Sequence, residues 1–404
     1  GDCYTNHMKF FPSFSFHKIQ TVVLIDIGSA SVSGAYARID KIHNPVLHYT
    51  AQVPIRSRDK TGAADMKDME RALAELTKTL ILRGAPVLAR AIGKSSIDRI
   101  LISIAAPWQE THTRPERVNN PSGFRFTRRM MDDMVKKITV PPPGRTQTNK
   151  MVVATLLNGY EVTDPFGKTA HSAEIIALSS SVTDEVAHAI TAVVRKTFHT
   201  DKIELTAFAP VAYVVLRDLF PKEDNFLVMD VTGEATDLAL VRQGLLVEVE
   251  SISCGLNLLR RAAIEAGITT VSSAKSLQTV NEVALVDMEH NGTFTAHMRD
   301  ARDEWLRNLS KAFQALAVQY ALPRMIFLLA DEEALGFLKQ VLNDGPGLQK
   351  LWLSDQALPI FAIDPGQLAQ HVTYRDDARG DTFLSLLALY TAHGYAASTT
   401  ARTK

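Results

Sequence analysis

Cysteine is almost missing from this sequence: two in 404 residues, Cys3 and Cys254. Two thiols build neither a disulfide framework nor a four-thiolate zinc site, and they suit a reducing compartment. Net charge is missing too. Lys+Arg and Asp+Glu number 44 each, so no global field draws the chain to nucleic acid or to an anionic membrane. No uncharged apolar run reaches the ~18 residues of a membrane-spanning helix. Residues 1–18 lack a basic stretch followed by an apolar block, so no secretory signal is expected. Neither G-x-G-x-x-G nor G-x-x-x-x-G-K followed by Ser or Thr occurs, which removes the dinucleotide fingerprint and the P-loop.

What is present is ordinary globular chemistry. Hydrophobic residues make up 46% and charged residues 22%. A chain of this length buries a large core without staples, and at ~150 residues per domain it holds two or three domains.

Hydrophobic patterning supplies the elements. Thr21 to Ile25 is apolar and β-branched throughout, the mark of a strand buried on both faces. Asp26-Ile27-Gly28-Ser29 turns it into a second strand, Ser31 to Ile39. Asp65 to Leu82 has helical spacing and is expected to stop at Gly84-Ala85-Pro86. Ile97 to Ile104 reads as a strand, Gln109 to Arg129 as a polar stretch, and Met130 to Ile138 as a short helix. Pro141 to Gly144 is a break. Strands at 152–157 and 174–180, a helix at 183–197 and a strand at 203–206 follow. The second half opens like the first. Phe226 to Met229 is a buried strand, Asp230 to Asp237 a turn, and Leu238 to Val241 and Leu245 to Ile252 are strands. Gly255 leads into a helix over 256–266. A helix at 303–320, a strand at 325–329, a helix at 332–342 and an apolar helix at 383–390 complete the pattern.

Apolar strand, Asp, small-residue turn, strand: this unit occurs twice, starting at Asp26 and at Asp230. Such an echo suggests a duplicated α/β domain with a cleft between its halves. Tight Gly/Ser turns expose consecutive backbone N–H groups that bind anions. Gly28 and Gly233 lack a Cβ, which lets the backbone approach a phosphate closely. Asp26 and Asp237 suit a water-bridged Mg²⁺, and Ser29 and Thr236 carry hydroxyls for phosphate oxygens. The plainer reading is two hairpin turns made of the usual turn formers.

The residues also resemble a family. Asp26-Ile27-Gly28-Ser29-Ala30-Ser31-Val32 is similar to the first phosphate motif of the actin-like ATPases, and Asp230 to Val241 to the second. Ile252-Ser253-Cys254-Gly255 stands where that family turns from strand to helix. Leu157 to Lys168 and Thr206 to Ala212 resemble segments of the FtsA-type family of bacterial cell-division proteins, of which PilM-type pilus proteins are near relatives. The likeness is collinear from about Thr21 to Tyr390.

It implies a two-lobed actin-like (ribonuclease H-like) α/β fold with an inserted SHS2-type subdomain. It implies a flexible tail over 1–20, a first lobe from 21–95 and 206–224 completed by 383–404, an insert over 96–205, and a second lobe over 225–382. ATP and Mg²⁺ would sit between the lobes. Asp26, Gly28, Ser29, Asp230, Gly233, Thr236, Asp237 and Gly255 would line the nucleotide, with Asp26 and Asp237 toward the metal. The partners implied are an FtsZ-like tubulin homologue or pilus assembly proteins, together with self-assembly. The expected location is the cytoplasm, at the inner face of the membrane by recruitment. The polar end at 396–404 shows no basic amphipathic helix, so no direct membrane anchor is expected.

The sequence departs from the family at Thr232 and Glu234, where the family has Gly, and at Ala235, where it has Thr or Ser. Asp331-Glu332-Glu333 replaces the consecutive glycines of the adenosine motif. A carboxylate beside a triphosphate is repulsive unless a cation intervenes. A nucleotide-free interaction module is therefore the second expectation, and a small-molecule kinase the third. His112 and His171 read as surface residues. Arg125, Arg128, Arg129, Lys136 and Lys137 read as a solvated face, Cys254 as a small buried residue, and Met130, Met131 and Met134 as core.

Overall fold

The structure is a computed structural model that describes residues 19–40, 42–56, 65–93, 96–265, 292–344, 348 and 359–394. Of the tail expected over 1–20, residues 1–18 lie outside the described residues, as do the helix end at Ala266 and the segment 395–404, while Gln20 already belongs to the first strand.

Two sheets share one topology. The first contains β1 (Gln20–Ile27), β2 (Ser31–Ile39), β3 (Val46–Pro54), β4 (Arg99–Ile104) and β9 (Ile203–Ala207) in the order β3-β2-β1-β4-β9, with the two-residue β15 (Thr373–Tyr374) beyond β3. The second contains β10 (Phe226–Val231), β11 (Thr236–Arg242), β12 (Leu245–Ile252), β13 (Met325–Ala330) and β14 (Ile360–Ala362) in the order β12-β11-β10-β13-β14. Each pairs three strands antiparallel and then adds two parallel ones.

The echo extends to details. The turn after β1 is closed by Gly28 N–H donating to Ser31 O at 3.1 Å; the turn after β10 by Thr232 N–H donating to Ala235 O at 2.9 Å. A one-residue register slip follows Tyr36 in the first sheet and Leu240 in the second, separated by the same spacing as Asp26 and Asp230.

Alternation along the buried strands explains the layers. In β1, Val22 and Leu24 enter a core shared by both sheets, while Val23, Ile25 and Ile27 enter an outer core. In β10, Phe226 and Val228 enter the shared core, and Leu227, Met229 and Val231 the other outer core. Two helices fill the shared core: α5 (Phe208–Leu219) and α10 (Thr382–Ala392). Every residue of α5 from Phe208 to Leu216 is buried, because a helix between two sheets has no solvent face. The first outer core is closed by α1 (Met66–Thr79) and α4 (Asp184–Phe198), and the second by α6 (Leu256–Glu265), α7 (Gly292–Gln319) and α8 (Glu332–Asp344). The short α9 (Pro365–Leu368) packs near α10.

A third, four-stranded antiparallel sheet packs against the other two: β5 (Gln109–Arg125), β8 (Thr169–Thr183), β6 (Arg145–Leu157) and β7 (Tyr160–Glu161), in the order β5-β8-β6-β7. Helix α3 (Arg128–Thr139) covers it over a small core of Phe126, Met134, Leu157 and Ile175. Its strands run from Gln109 to Thr183. The insert expected over 96–205 is therefore too wide, since β4, α4 and β9 belong to the first sheet and its outer core. Likewise β15 pairs with β3 of the first sheet, although 225–382 was expected to form the second lobe.

Two local readings are also corrected. The polar stretch from Gln109 is a 17-residue strand. It is an edge strand with one mostly exposed face, so it needs no apolar run, and Pro115 and Pro121 are tolerated there. The helix begun at α1 does not end at Gly84. A wider π-type turn over Leu80–Gly84, closed by Ala85 N–H donating to Leu80 O, passes it into α2 (Ala85–Ile92), where Pro86 sits in the first turn.

Candidate functional site

Both duplicated strands carry a carboxylate at their last residue but one, Asp26 and Asp230. Asp26 is 7% exposed, and Ser103 Oγ on β4 donates to it at 2.6 Å. Burial pushes Asp26 up to about 7, against the Ser103 hydrogen bond, and the nearby Asp381 and Asp331 push the same way. Asp230 is the register partner of Asp237. Burial, then Asp237, Asp26 and Asp331, hold it well above the usual carboxylate range, and among the described residues its Oδ1 has no hydrogen-bond partner. Asp237 accepts from Ser251 Oγ at 2.6 Å and faces the Ala106 amide of the first lobe. Burial nevertheless raises it to about 6. Asp381 caps α10 by accepting from Leu384 N–H at 2.9 Å, and burial raises it as well.

The structure thus brings Asp26, Asp230 and Asp237 together, and adds Asp331 and Asp381. For Asp381 the sequence offered one signal, an Asp immediately before an apolar helix. Nothing linked that cap to Asp26, some 350 positions away in the sequence.

The two turns touch. Ser29 Oγ and Thr232 Oγ1 are hydrogen-bonded at 2.8 Å, and Glu234 N–H donates to Ser29 Oγ at 2.8 Å. A β-carbon on Gly233 would meet Ala30 Cβ at 2.8 Å, so this approach requires glycine. Trp108 Nε1 donates to Gly28 O at 2.9 Å and ties the first turn to the loop after β4. Gly255 lies under the second turn, where a β-carbon would sit 2.6 Å from Gly233 O and closer still to Thr232 O. The N–H groups of Leu256 and Asn257, opening α6, donate to Thr232 O at 2.9 Å and Gly233 O at 2.7 Å. Those amides hold the turn and are not free for an anion.

Thr236 was expected to face phosphate. Its hydroxyl instead donates to Cys254 O at 2.7 Å and accepts from Trp305 Nε1 at 3.3 Å. The β-pleat directs it into the outer core of the second lobe, away from the cleft. Cys254 is buried there, and burial raises its thiol.

Glu234 anchors a further set of contacts. Asn257 Nδ2 donates to its Oε1 at 2.6 Å, and Arg261 Nη1 reaches both carboxylate oxygens at 3.2 Å. Beside it, Arg260 pairs with Asp331 at 3.2 Å. The adjacent Arg260 and Arg261 were visible in the sequence, but their carboxylate partners come from other elements.

Mg·ATP does not fit this arrangement. Asp26, Gly28, Ser29, Thr232, Asp331 and Phe383 border a cavity of about 20 Å³, room for one water molecule. The hydrogen-bonded turns close the gap between the lobes, and the carboxylates of Asp26 and Asp331 line the cavity that remains. Among the described residues no three His, Cys, Asp or Glu side chains converge to hold a metal ion. Asp26 and Asp237 are engaged with Ser103 and Ser251.

The chain has the two-lobed actin-like fold. A chain of a structure titled "PilM-PilN type IV pilus biogenesis complex" superimposes with a TM-score of 0.57 at 15% identity, covering 92% of this chain and 98% of that one. A Bacteroides thetaiotaomicron protein, described as having an actin-like ATPase fold and unknown function, matches at a TM-score of 0.39 and 10% identity, with 94% and 99% coverage. The ethanolamine utilization protein EutJ of Carboxydothermus hydrogenoformans matches at 0.39 and 11%, with 93% and 90% coverage. No family model and no curated protein matches the sequence.

The remaining candidates behave as surface or core. His112 is exposed, and His171 Nδ1 lies 3.1 Å from Pro121 O. Arg128 stacks over Phe166 at 4.6 Å, and Lys137 pairs with Glu116 at 3.0 Å, so this basic stretch is part of the insert's own surface. No helix among the described residues is long and apolar enough to cross a membrane.

Proposed function

We propose that this protein is a scaffold of a membrane-associated assembly machine, of the PilM type, and that its partner is a pilus assembly protein of the PilN type. The observation that carries this reading is the fold match to a chain of the PilM–PilN complex over nearly the whole of both chains. The direct contact between the turns supports a resting form that is closed without nucleotide. ATP and Mg²⁺ would enter only if the two turns separated. With no membrane-crossing helix among the described residues, the partner would bring the scaffold to the inner face of the membrane.

A second reading, an FtsA-like role in cell division with an FtsZ-like partner, rests on the collinear motifs at Leu157–Lys168 and Thr206–Ala212. Co-expression with a PilN-type protein and, separately, with an FtsZ-type protein from the same genome tests both. Light scattering after size exclusion should show a stoichiometric complex with the PilN-type protein. A complex with the FtsZ-type protein alone would move the role to division, and none with either would overturn both readings.

A further inference from the structure

The second turn carries a charge that its twin lacks. Matching hydrogen bonds close the two turns, and Glu234 stands where the first turn has Ala30. The turn conformation therefore makes no demand for a carboxylate. The surroundings do: Asn257 donates to Oε1 at 2.6 Å, and Arg261 reaches both oxygens at 3.2 Å. An amide N–H and a guanidinium converging on two oxygens is the recognition geometry of an oxyanion. The backbone amide of the same residue donates to Ser29 of the other lobe.

We propose that Glu234 is a resident anion: its carboxylate fills an oxyanion site built by Asn257 and Arg261, and in filling it latches the two lobes shut without nucleotide. The side chains add to the Leu256 and Asn257 amides in holding the turn over α6, and the held turn presents its own amide to Ser29. Arg260 repeats the device one residue earlier with Asp331, so α6 offers two guanidiniums to two carboxylates at one end of the cleft. Glu234 and Arg261 have side-chain exposures of 17% and 33%. A soluble anion can therefore reach the site without unfolding the protein. The ligand class is a multiply charged phosphate oxyanion, which takes the site when the tethered carboxylate is withdrawn or removed. This inference does not depend on which partner the scaffold serves.

Calorimetric titration of the full chain with inorganic pyrophosphate tests it. The wild type should show no saturable heat at millimolar pyrophosphate, because the site is filled from within. Glu234→Ala should bind at least roughly tenfold more tightly than wild type, the gain expected when an internal competitor is removed. Adding Arg261→Ala to that variant should abolish the gain. Without ligand, small-angle scattering of Glu234→Ala should report a larger radius of gyration than wild type, and pyrophosphate should reverse the change. Should Glu234→Ala fail to fold, Glu234→Gln keeps the shape, removes the charge and should show the same gain at smaller size. Folded variants whose pyrophosphate affinity equals that of wild type would overturn the proposal, as would a gain that survives loss of Arg261.

Discussion

Asp230 and Asp237 face each other as register partners on adjacent antiparallel strands, each 3% exposed. Burial and the facing Asp237 hold the Asp230 carboxyl well above the usual carboxylate range, which costs stability at neutral pH, and among the described residues its Oδ1 has no hydrogen-bond partner to offset its burial. Replacing Asp230 by Asn keeps the shape and supplies an N–H toward the Asp237 carboxyl. We expect Asp230→Asn to stabilise the protein by about 1–2 kcal/mol at pH 7.5. Guanidinium unfolding followed by circular dichroism measures this. A lower midpoint than wild type would show that Asp230 satisfies a need the geometry does not reveal.

The Asp26 carboxyl predicts a pH dependence of definite sign. Its folded value is about 7 against an ordinary 3.8, so the folded protein holds a proton that the unfolded chain releases. Its contribution is fully present below pH 4, falls as pH rises from about 4 to 7, and is then constant. The full span is about 4 kcal/mol. Asp237, raised to about 6, adds a slope of the same sign over the lower part of that window. Thermal midpoints at pH 5 and pH 8 should therefore differ less in Asp26→Asn than in wild type. An unchanged difference would mean that Asp26 is ionised in the fold.

Gly255→Ala tests the close packing beneath the second turn. The new methyl would press on the carbonyl oxygens of Thr232 and Gly233, both of which already accept from α6. Backbone on both sides leaves little room to yield, so we expect a loss of about 2–3 kcal/mol. Hydrogen exchange at the Leu256 and Asn257 amides should speed up together. A near-neutral midpoint would show that the turn can lift off the helix.

Thr236→Val separates a structural hydroxyl from a ligand-binding one. Loss of the bonds to Cys254 O and Trp305 Nε1 should cost about 1–2 kcal/mol. Pyrophosphate binding by Glu234→Ala should be unaffected when Thr236→Val is added, because the hydroxyl faces the core. A clear fall in affinity would place Thr236 in the site after all.

Much of the fold is legible in the sequence where a residue's surroundings follow from its neighbours. The apolar runs ending at Ile27 and Val231 announce strands buried on both faces. Asn158-Gly159 and Gln243-Gly244 announce tight turns, and all four residues have positive φ. Strand β5 was hidden because an exposed edge strand carries no apolar signature. Helix α5 was not read as a helix: its run from Phe208 to Leu216 is almost wholly apolar and contains Pro210, and such a run reads as readily as a strand or a break as it does as a helix.

The site divides along the same line. The repeated Asp-turn-strand pattern, with glycine at 28 and 233, was fixed by local chain chemistry, since an apolar strand followed by small residues folds into a hairpin wherever it stands. Tertiary structure decided what the hairpins do. It pressed Gly233 against Ala30, turned Thr236 inward, gathered Asp26, Asp230 and Asp381 from three distant segments, and gave Glu234 to Asn257 and Arg261. Those relationships depend on distances across two packed sheets. Local patterning cannot encode them, because each partner's own neighbourhood would look the same whatever lay opposite.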